Sequence, residues 1–353
     1  MTPLLSLARP EIVSLNPYSH AAWLPHLTRM HANEAPWRPE GDGTAAGLNR
    51  YPEPQPKQLI ARLAALYQVA EENVLATRGA DEAIDVLSRI YLRAGHDAIL
   101  QVTPTFGMYQ VSARIQGAEV VEVPLRRERD WALNPEELLS AWRPTMKLVY
   151  LCSPNNPTAN SFDAACIEQV CSALEGKAIV VIDEAYVEWS RTGSLTPWLK
   201  RFQTLAFLRT LSKAHALAGA RVGALLAQPE MIQLAKRVIP PYALAQPTVE
   251  AALRALAPDE LVRSKHRREA LLSERERVRQ ALRHSPLVAK VWDSDANFLL
   301  IDCRDAQSFM NASMAAGLIV RDLRGYAALP NSLRVSMGLA EHNDALLRSV
   351  GAQ

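Results

Sequence analysis

Along most of this chain, short apolar runs alternate with stretches whose apolar positions recur every three to four residues. The runs fall at 74–77, 98–102, 120–123, 147–152, 178–182, 204–208 and 222–227. Those at 147–152 and 178–182 are unbroken and bounded by turn residues or helical patterns, as in parallel strands buried on both faces. Between them lie amphipathic helices. From Lys57 onward Leu59, Ile60, Leu63, Leu66 and Tyr67 share one side, and over 81–91 Ile84, Leu87 and Tyr91 do the same. Asn134-Pro135-Glu136-Glu137 supplies a cap, a first-turn proline and first-turn acids, so a helix starts there.

This alternation predicts an α/β fold: a large domain over 46–246 with a mostly parallel seven-stranded sheet flanked by helices. Its start follows the extended, proline-alternating segment at 50–56, and Pro240, Pro241 and Pro247 mark its end. A long charged helix over 250–284 follows, then strand signals at 288–292, 298–302, 318–322 and 333–336. These predict a smaller α+β domain over 247–353, with residues 1–45 as an N-terminal arm packed against it.

Composition narrows the functional classes. A chain of 353 residues suits two domains sharing one site. Its net charge of +2 is spread along the chain, and the one basic run, Arg126-Arg127-Glu128-Arg129, reads as a solvated loop. Nucleic acid is not an expected partner. Four cysteines without CxxC spacing fit neither a zinc site nor a disulfide framework. No metal is therefore expected. The first residues lack the basic and apolar regions of a signal peptide, and no window approaches the ~18 apolar residues of a membrane helix. The expected location is cytoplasmic, with no membrane partner.

In open parallel sheets ligands lie beyond the carboxyl ends of the strands. Four such ends carry unusual groups. Gly79, Ala80 and Asp81 open the helix after 74–77, where free backbone N–H groups and the helix dipole suit a phosphate. Asp81 also reads as a plain N-cap, and no GxGxxG or GxxxxGK[ST] motif is present. Asn156 follows the fourth run and Tyr186 the fifth; both can donate to a phenolate oxygen, while turn chemistry explains the Asn-Pro pair equally.

Asp183 ends the run 178–182, so a carboxylate stands where burial is expected, which calls for a cation or a cap. Lys213 follows Thr210 and Ser212 at the sixth strand end, in alanine- and leucine-rich surroundings that lower an amine's pKa and favour imine formation. Alone, it reads as a snorkelling surface lysine. Ser212 and Arg221 can add a hydroxyl and a forked cation to the phosphate site, and Phe106 can stack on a planar ring or simply join the core.

The order Asn-Pro-Thr, Asp-Glu-Ala-Tyr, Ser-x-Lys and an arginine eight residues beyond the lysine resembles the aspartate-aminotransferase fold family, the type I pyridoxal-phosphate enzymes. The resemblance runs over essentially the whole chain. RYPEPQP at 50–56, RGADEAI at 78–84, PTFGMY at 104–109, CSPNNPT at 152–158 and RTLSKAHALAGARVG at 209–223 are most similar to its histidinol-phosphate aminotransferase branch.

That resemblance implies pyridoxal 5′-phosphate as cofactor, with Lys213 as Schiff-base lysine and proton shuttle, and Asp183 as partner of the ring nitrogen. It implies Asn156 and Tyr186 as donors to the ring oxygen, with Ala80, Asp81, Ser212 and Arg221 holding the phosphate and Gly79, Phe106 and Thr210 among the further cofactor contacts. Tyr51 would reach that phosphate from the second subunit of a homodimer, and Tyr18, Asn33, Arg321 and Arg334 would contact substrate.

The implied reaction passes an amino group between a small-molecule donor and a 2-oxo acid. Histidinol phosphate and 2-oxoglutarate are the expected pair. An aromatic amino acid aminotransferase, a threonine-phosphate decarboxylase and an inactive dimeric binding protein of the same fold are the alternatives. Two positions depart from the pattern: Ala159 stands for a usual glycine, which restricts the backbone, and Phe106 for a common tyrosine.

Overall fold

The structure is a computed structural model that describes residues 2–20, 24 and 26–352. Seven strands form the larger sheet: β1 (Val74–Thr77), β2 (Ala98–Thr103), β3 (Glu119–Pro124), β4 (Met146–Cys152), β5 (Ile179–Asp183), β6 (Leu205–Thr210) and β7 (Gly223–Ala227). Their order is β1-β7-β6-β5-β4-β2-β3. All neighbours are parallel except β7, which runs antiparallel to both β1 and β6. The carboxyl ends of β1, β4, β5 and β6 therefore share one edge. Because β7 reverses, the chain from β6 to β7 turns at that same edge.

Neighbouring residues on each strand enter opposite cores. Leu100, Val149, Val180, Phe207 and Leu226 face one layer, with α3 (Lys57–Tyr67), α6 (Pro135–Ala141) and α7 (Ala164–Leu174). Ile99, Leu148, Ile179, Ala206 and Leu225 face the other, with α4 (Gly79–Tyr91), α5 (Met108–Ile115) and α8 (Pro229–Val238). Both faces are thus dry, which is why the strands read as continuous apolar runs.

The second sheet is antiparallel, in the order β10-β11-β9-β8. Its strands are β8 (Val288–Val291), β9 (Phe298–Cys303), β10 (Arg321–Asp322) and β11 (Ser332–Ser336). A third core, with Val278, Leu282, Phe309 and Leu346, packs α10 (Pro258–Leu282), α11 (Ala306–Ala315) and α12 (Ala340–Ser349) against it.

Three details differ from the sequence expectations. The helix expected over 250–284 is two, α9 (Gln246–Ala255) and α10, because Pro258 opens the second and cannot continue the first. Of the strand expected at 318–322, only Arg321 and Asp322 pair with β11. In the arm, α1 (Pro3–Leu7) buries Leu4 and Leu7 in the same core as Met231 and Ile232 of α8, so this part rests on the larger sheet's helices instead of the small domain. Among the described residues no helix is long and apolar enough to cross a membrane.

Candidate active site

The register aligns Cys152, Asp183 and Leu208 across the carboxyl edge of β4, β5 and β6. Beyond that edge a cavity of about 130 Å³ is lined by Ala80, Asp81, Phe106, Cys152, Asn156, Asp183, Tyr186, Thr210, Ser212, Lys213 and Arg221. Nearly all the expected cofactor residues of one chain meet there.

Asp183 is 2% exposed. Its Oδ2 accepts from the Tyr109 hydroxyl at 2.6 Å and its Oδ1 from the Ala185 backbone N–H at 3.0 Å. Burial pushes the carboxyl up to about 6, against the lowering effect of those two donors. A cation placed in the cavity would stabilise the charged form.

Lys213 sits at the cavity mouth, exposed, with its ammonium 5.8 Å from the centroid of the Tyr186 ring. Partial desolvation, followed by the cations Arg334 and Arg221, holds its pKa below the usual lysine value. A lowered ammonium pKa enlarges the nucleophilic neutral fraction.

An anion cup closes the other end. Helix α4 begins at Gly79, and the side chain of its N-cap residue Arg78 makes no capping hydrogen bond, which leaves first-turn backbone N–H donors and the positive end of the dipole. Gly79 holds φ +73°, and a Cβ there would lie 2.6 Å from Arg221 Nη2. On β7, a Cβ on Gly223 would lie 2.5 Å from the Gly79 carbonyl carbon. Two glycines therefore let strand, helix start and guanidinium converge. Arg221 donates to Ser212 Oγ at 3.2 Å and to Asp81 Oδ2 at 2.9 Å, and Thr210 Oγ1 bonds Ser212 Oγ at 2.9 Å. Backbone donors, a hydroxyl and a guanidinium are the donor set of a phosphate site.

On the cavity wall, Asn156 Oδ1 accepts from Arg334 Nη1. A guanidinium can only donate, so the amide oxygen faces Arg334 and the amide NH2 is turned away from it. Tyr186 is buried with its ring edge against Phe298. Phe106 sits edge-on to Tyr109. Ala159 holds φ 68°, so the turn after β4 keeps the left-handed conformation despite the missing glycine.

Four expected residues lie elsewhere. Tyr18 is exposed, its ring edge on His20. Asn33 and Tyr51 line a separate cavity of about 320 Å³, where Tyr51 stacks on Tyr242 at 4.6 Å. Arg321 pairs across β10 and β11 with Arg334, and both line a groove of about 720 Å³ beside α11 and α12.

Two features escaped sequence reasoning. Tyr109 stands three residues after Phe106 in PTFGMY, and the start of α5 between them sets one ring edge-on to the other. Arg209 is buried, bonding Glu184 at 2.8 Å and Glu188 at 2.7 Å with Tyr67 under its guanidinium; the last residue before Thr210 gave no sign of this.

The sequence model of the family described as aminotransferase class I and II matches residues 25–350. A histidinol-phosphate aminotransferase of Stenotrophomonas maltophilia is 42% identical over 99% of this chain and 97% of its own length. One from Xanthomonas euvesicatoria is 42% identical over 98% and 96%. Among solved structures, the histidinol-phosphate aminotransferase of Sinorhizobium meliloti in complex with pyridoxal-5′-phosphate superposes with a TM-score of 0.77 at 26% identity, covering 85% of this chain and 82% of that one. The Clostridium acetobutylicum enzyme of the same name shares the fold, with a TM-score of 0.77 at 20% identity over 86% and 90% of the two chains.

Proposed function

This chain belongs to the class I and II aminotransferases, and on that premise we propose that it transfers an amino group between glutamate and imidazole-acetol phosphate, giving histidinol phosphate and 2-oxoglutarate, with pyridoxal 5′-phosphate as cofactor. One observation carries the reading: a buried acid, an amine of lowered pKa and an anion cup built by two glycines open on one cavity. The relatives' names favour this substrate over the aromatic and decarboxylase alternatives.

Bound there, the cofactor supplies an electron sink for charge developing on the substrate carbon. The protein's groups then divide the work. Lys213 would hold the cofactor through its amine and, once freed by the substrate's amine, act as acid–base, moving the proton from the amine-bearing carbon of the substrate to the cofactor's C4′. The Asp183 carboxylate holds a proton on the ring nitrogen, which stabilises both charges in a site of low dielectric. Asn156, through the amide NH2 turned from Arg334, and Tyr186 donate to the ring oxygen. Phe106 covers the ring. Gly79, Ala80, Asp81, Thr210, Ser212 and Arg221 hold the phosphate.

Arg334 and Arg321 receive the anionic end of the substrate, since a guanidinium fork matches a phosphate or carboxylate. The family resemblance adds Tyr18 and Asn33 as substrate contacts, although within one chain both stand apart from that groove, and it has Tyr51 reach the cofactor phosphate from the second subunit of a homodimer. The enzyme works in the cytoplasm.

The test is a half-reaction screen. Loaded protein absorbs in the visible, borohydride fixes the label on Lys213, and histidinol phosphate discharges the absorbance in preference to phenylalanine, tyrosine or threonine phosphate. Label absent from Lys213 would overturn the site; absence of preference would overturn the substrate. Equilibrium sedimentation showing monomer alone would remove the role of Tyr51.

A further inference from the structure

We propose that Tyr109 is a positioning residue for the buried acid: its hydroxyl fixes the orientation of the Asp183 carboxyl and holds it in the charged form that keeps the cofactor's ring nitrogen protonated. The proposal rests on the functional reading above, and concerns a side chain that takes no part in holding the cofactor there.

The geometry is over-determined. Tyr109 is fully buried on α5, and its ring stacks on Tyr150 of β4 at 4.5 Å and 7° while Phe106 meets it edge-on at 5.7 Å. A ring wedged so has one direction for its hydroxyl, and it donates to Asp183 Oδ2 at 2.6 Å. Ala185 N–H takes the other oxygen at 3.0 Å. Rotating the carboxyl would break both bonds, so its plane is fixed before any ligand arrives. One donor per oxygen leaves each oxygen a free lone pair for a cation.

The remaining groups around Asp183 do not replace this donor. Asp81 of α4 and Glu184 beside it are acids that disfavour its charge, as burial does. The Cys152 thiol of β4 donates elsewhere, to the Pro154 carbonyl. Tyr186 and Tyr150 are neutral phenols held above their ordinary range by burial. Lys213, with Arg221 and Arg334 near it, supplies a cation at longer range without a hydrogen bond to the acid among the described residues. Charge on Asp183 is therefore favoured by direct contact from Tyr109 and Ala185, and side-chain substitution can remove the first.

The experiment compares wild type, Tyr109→Phe, Tyr150→Phe and Asp183→Asn as cofactor-loaded proteins without substrate, following visible absorbance against pH. Tyr109→Phe keeps the ring and its stack. Without the hydroxyl the acid favours its neutral form and the ring nitrogen loses charge. The proton on the Lys213 nitrogen is then less repelled, so the midpoint rises by about one pH unit, the scale of one hydrogen bond to a carboxylate.

In turnover kcat falls while KM changes little. Tyr150→Phe, which leaves the Asp183 contact intact, titrates as wild type. In an Asp183→Asn background the Tyr109 substitution adds no further shift. A Tyr109→Phe midpoint equal to wild type, or an equal added shift in the Asp183→Asn background, would overturn the proposal. Wild type that takes up no visible absorbance would instead overturn the parent reading.

Discussion

Arg334 of β11 donates a hydrogen bond to the side-chain oxygen of Asn156, so one contact joins the small sheet to the turn after β4. The same guanidinium lies over the Phe298 ring at 5.2 Å, and its Nε is buried with no hydrogen-bond partner among the described residues. A buried donor left unpaired costs about 1–3 kcal/mol. Arg334 also lines the groove it shares with Arg321, where an anion from the substrate would meet the guanidinium.

Replacing Arg334 by Gln is therefore expected to lower kcat/KM by roughly 10- to 100-fold, the range of a charged hydrogen bond worth about 1.5–3 kcal/mol. Arg334→Lys should recover little, because an ammonium cannot hold the amide and an anion in one plane. Steady-state kinetics with histidinol phosphate check this; wild-type kcat/KM in either variant contradicts it.

Asp183 ties catalysis to a stability penalty in the cofactor-free protein. Its folded pKa, about 6, lies above the ordinary 3.8. The folded state thus holds a proton that the unfolded state releases, and the stabilisation present below about pH 4 is lost as pH rises to about 6. Two units correspond to roughly 3 kcal/mol at 1.36 kcal/mol each. Asp183→Asn, whose amide oxygen can take the Ala185 N–H while its NH2 donates to the Tyr109 hydroxyl oxygen, should make the cofactor-free protein more stable at pH 7 by about 1–3 kcal/mol and flatten its profile between pH 4 and 6, while abolishing turnover. Urea unfolding at pH 4.5 and 7 measures both; a variant less stable than wild type at pH 7 would count against the buried acid.

The large sheet was legible because two dry faces write unbroken apolar runs, and strand ends could be scanned for polar groups. Asp183, Asn156, Ser212 and Lys213 emerged that way. Tyr109 did not, since its meaning depends on how α5 lies across β4 and β5, a relation no local pattern encodes. The split of 250–284 at Pro258 was written in the sequence but masked by the charge pattern running through it. Tyr18, Asn33 and Tyr51 carry motif resemblance only; within one chain they stand apart from the cavity.

Gly223 is needed for proximity, since its φ is not in the left-handed region. A methyl there would press on the backbone of Gly79 and Ala80 at 2.5 and 2.8 Å, and backbone cannot step aside as a side chain can. Gly223→Ala should cost about 1–3 kcal/mol by overpacking and displace the first turn of α4. Cofactor affinity should fall at least about tenfold, the equivalent of one displaced hydrogen bond at about 1.4 kcal/mol. Fluorescence titration of the cofactor and a thermal melt test the two parts; unchanged affinity would mean the cup does not rely on this approach.

Ala159 tests whether the missing glycine matters. At φ 68° an L-residue carries a strain of roughly 1–2 kcal/mol. Glycine would relieve it, but it adds about 0.5–1 kcal/mol of chain entropy and removes a methyl worth about 0.8 kcal/mol from the cluster with Tyr186 and Phe298. The terms nearly cancel, so Ala159→Gly should shift stability by less than about 1 kcal/mol and leave turnover near wild type. Ala159→Val should behave differently, because a β-branched residue is a true outlier at positive φ and its extra carbons press on both rings. Its backbone N–H donates to Asn155 at 2.8 Å and its carbonyl accepts from Asp295 at 2.7 Å, so distortion there passes to Asn156 next door. A loss of more than about 2 kcal/mol and weaker cofactor binding are expected for valine; equal behaviour of the two variants would show that the turn is not under strain.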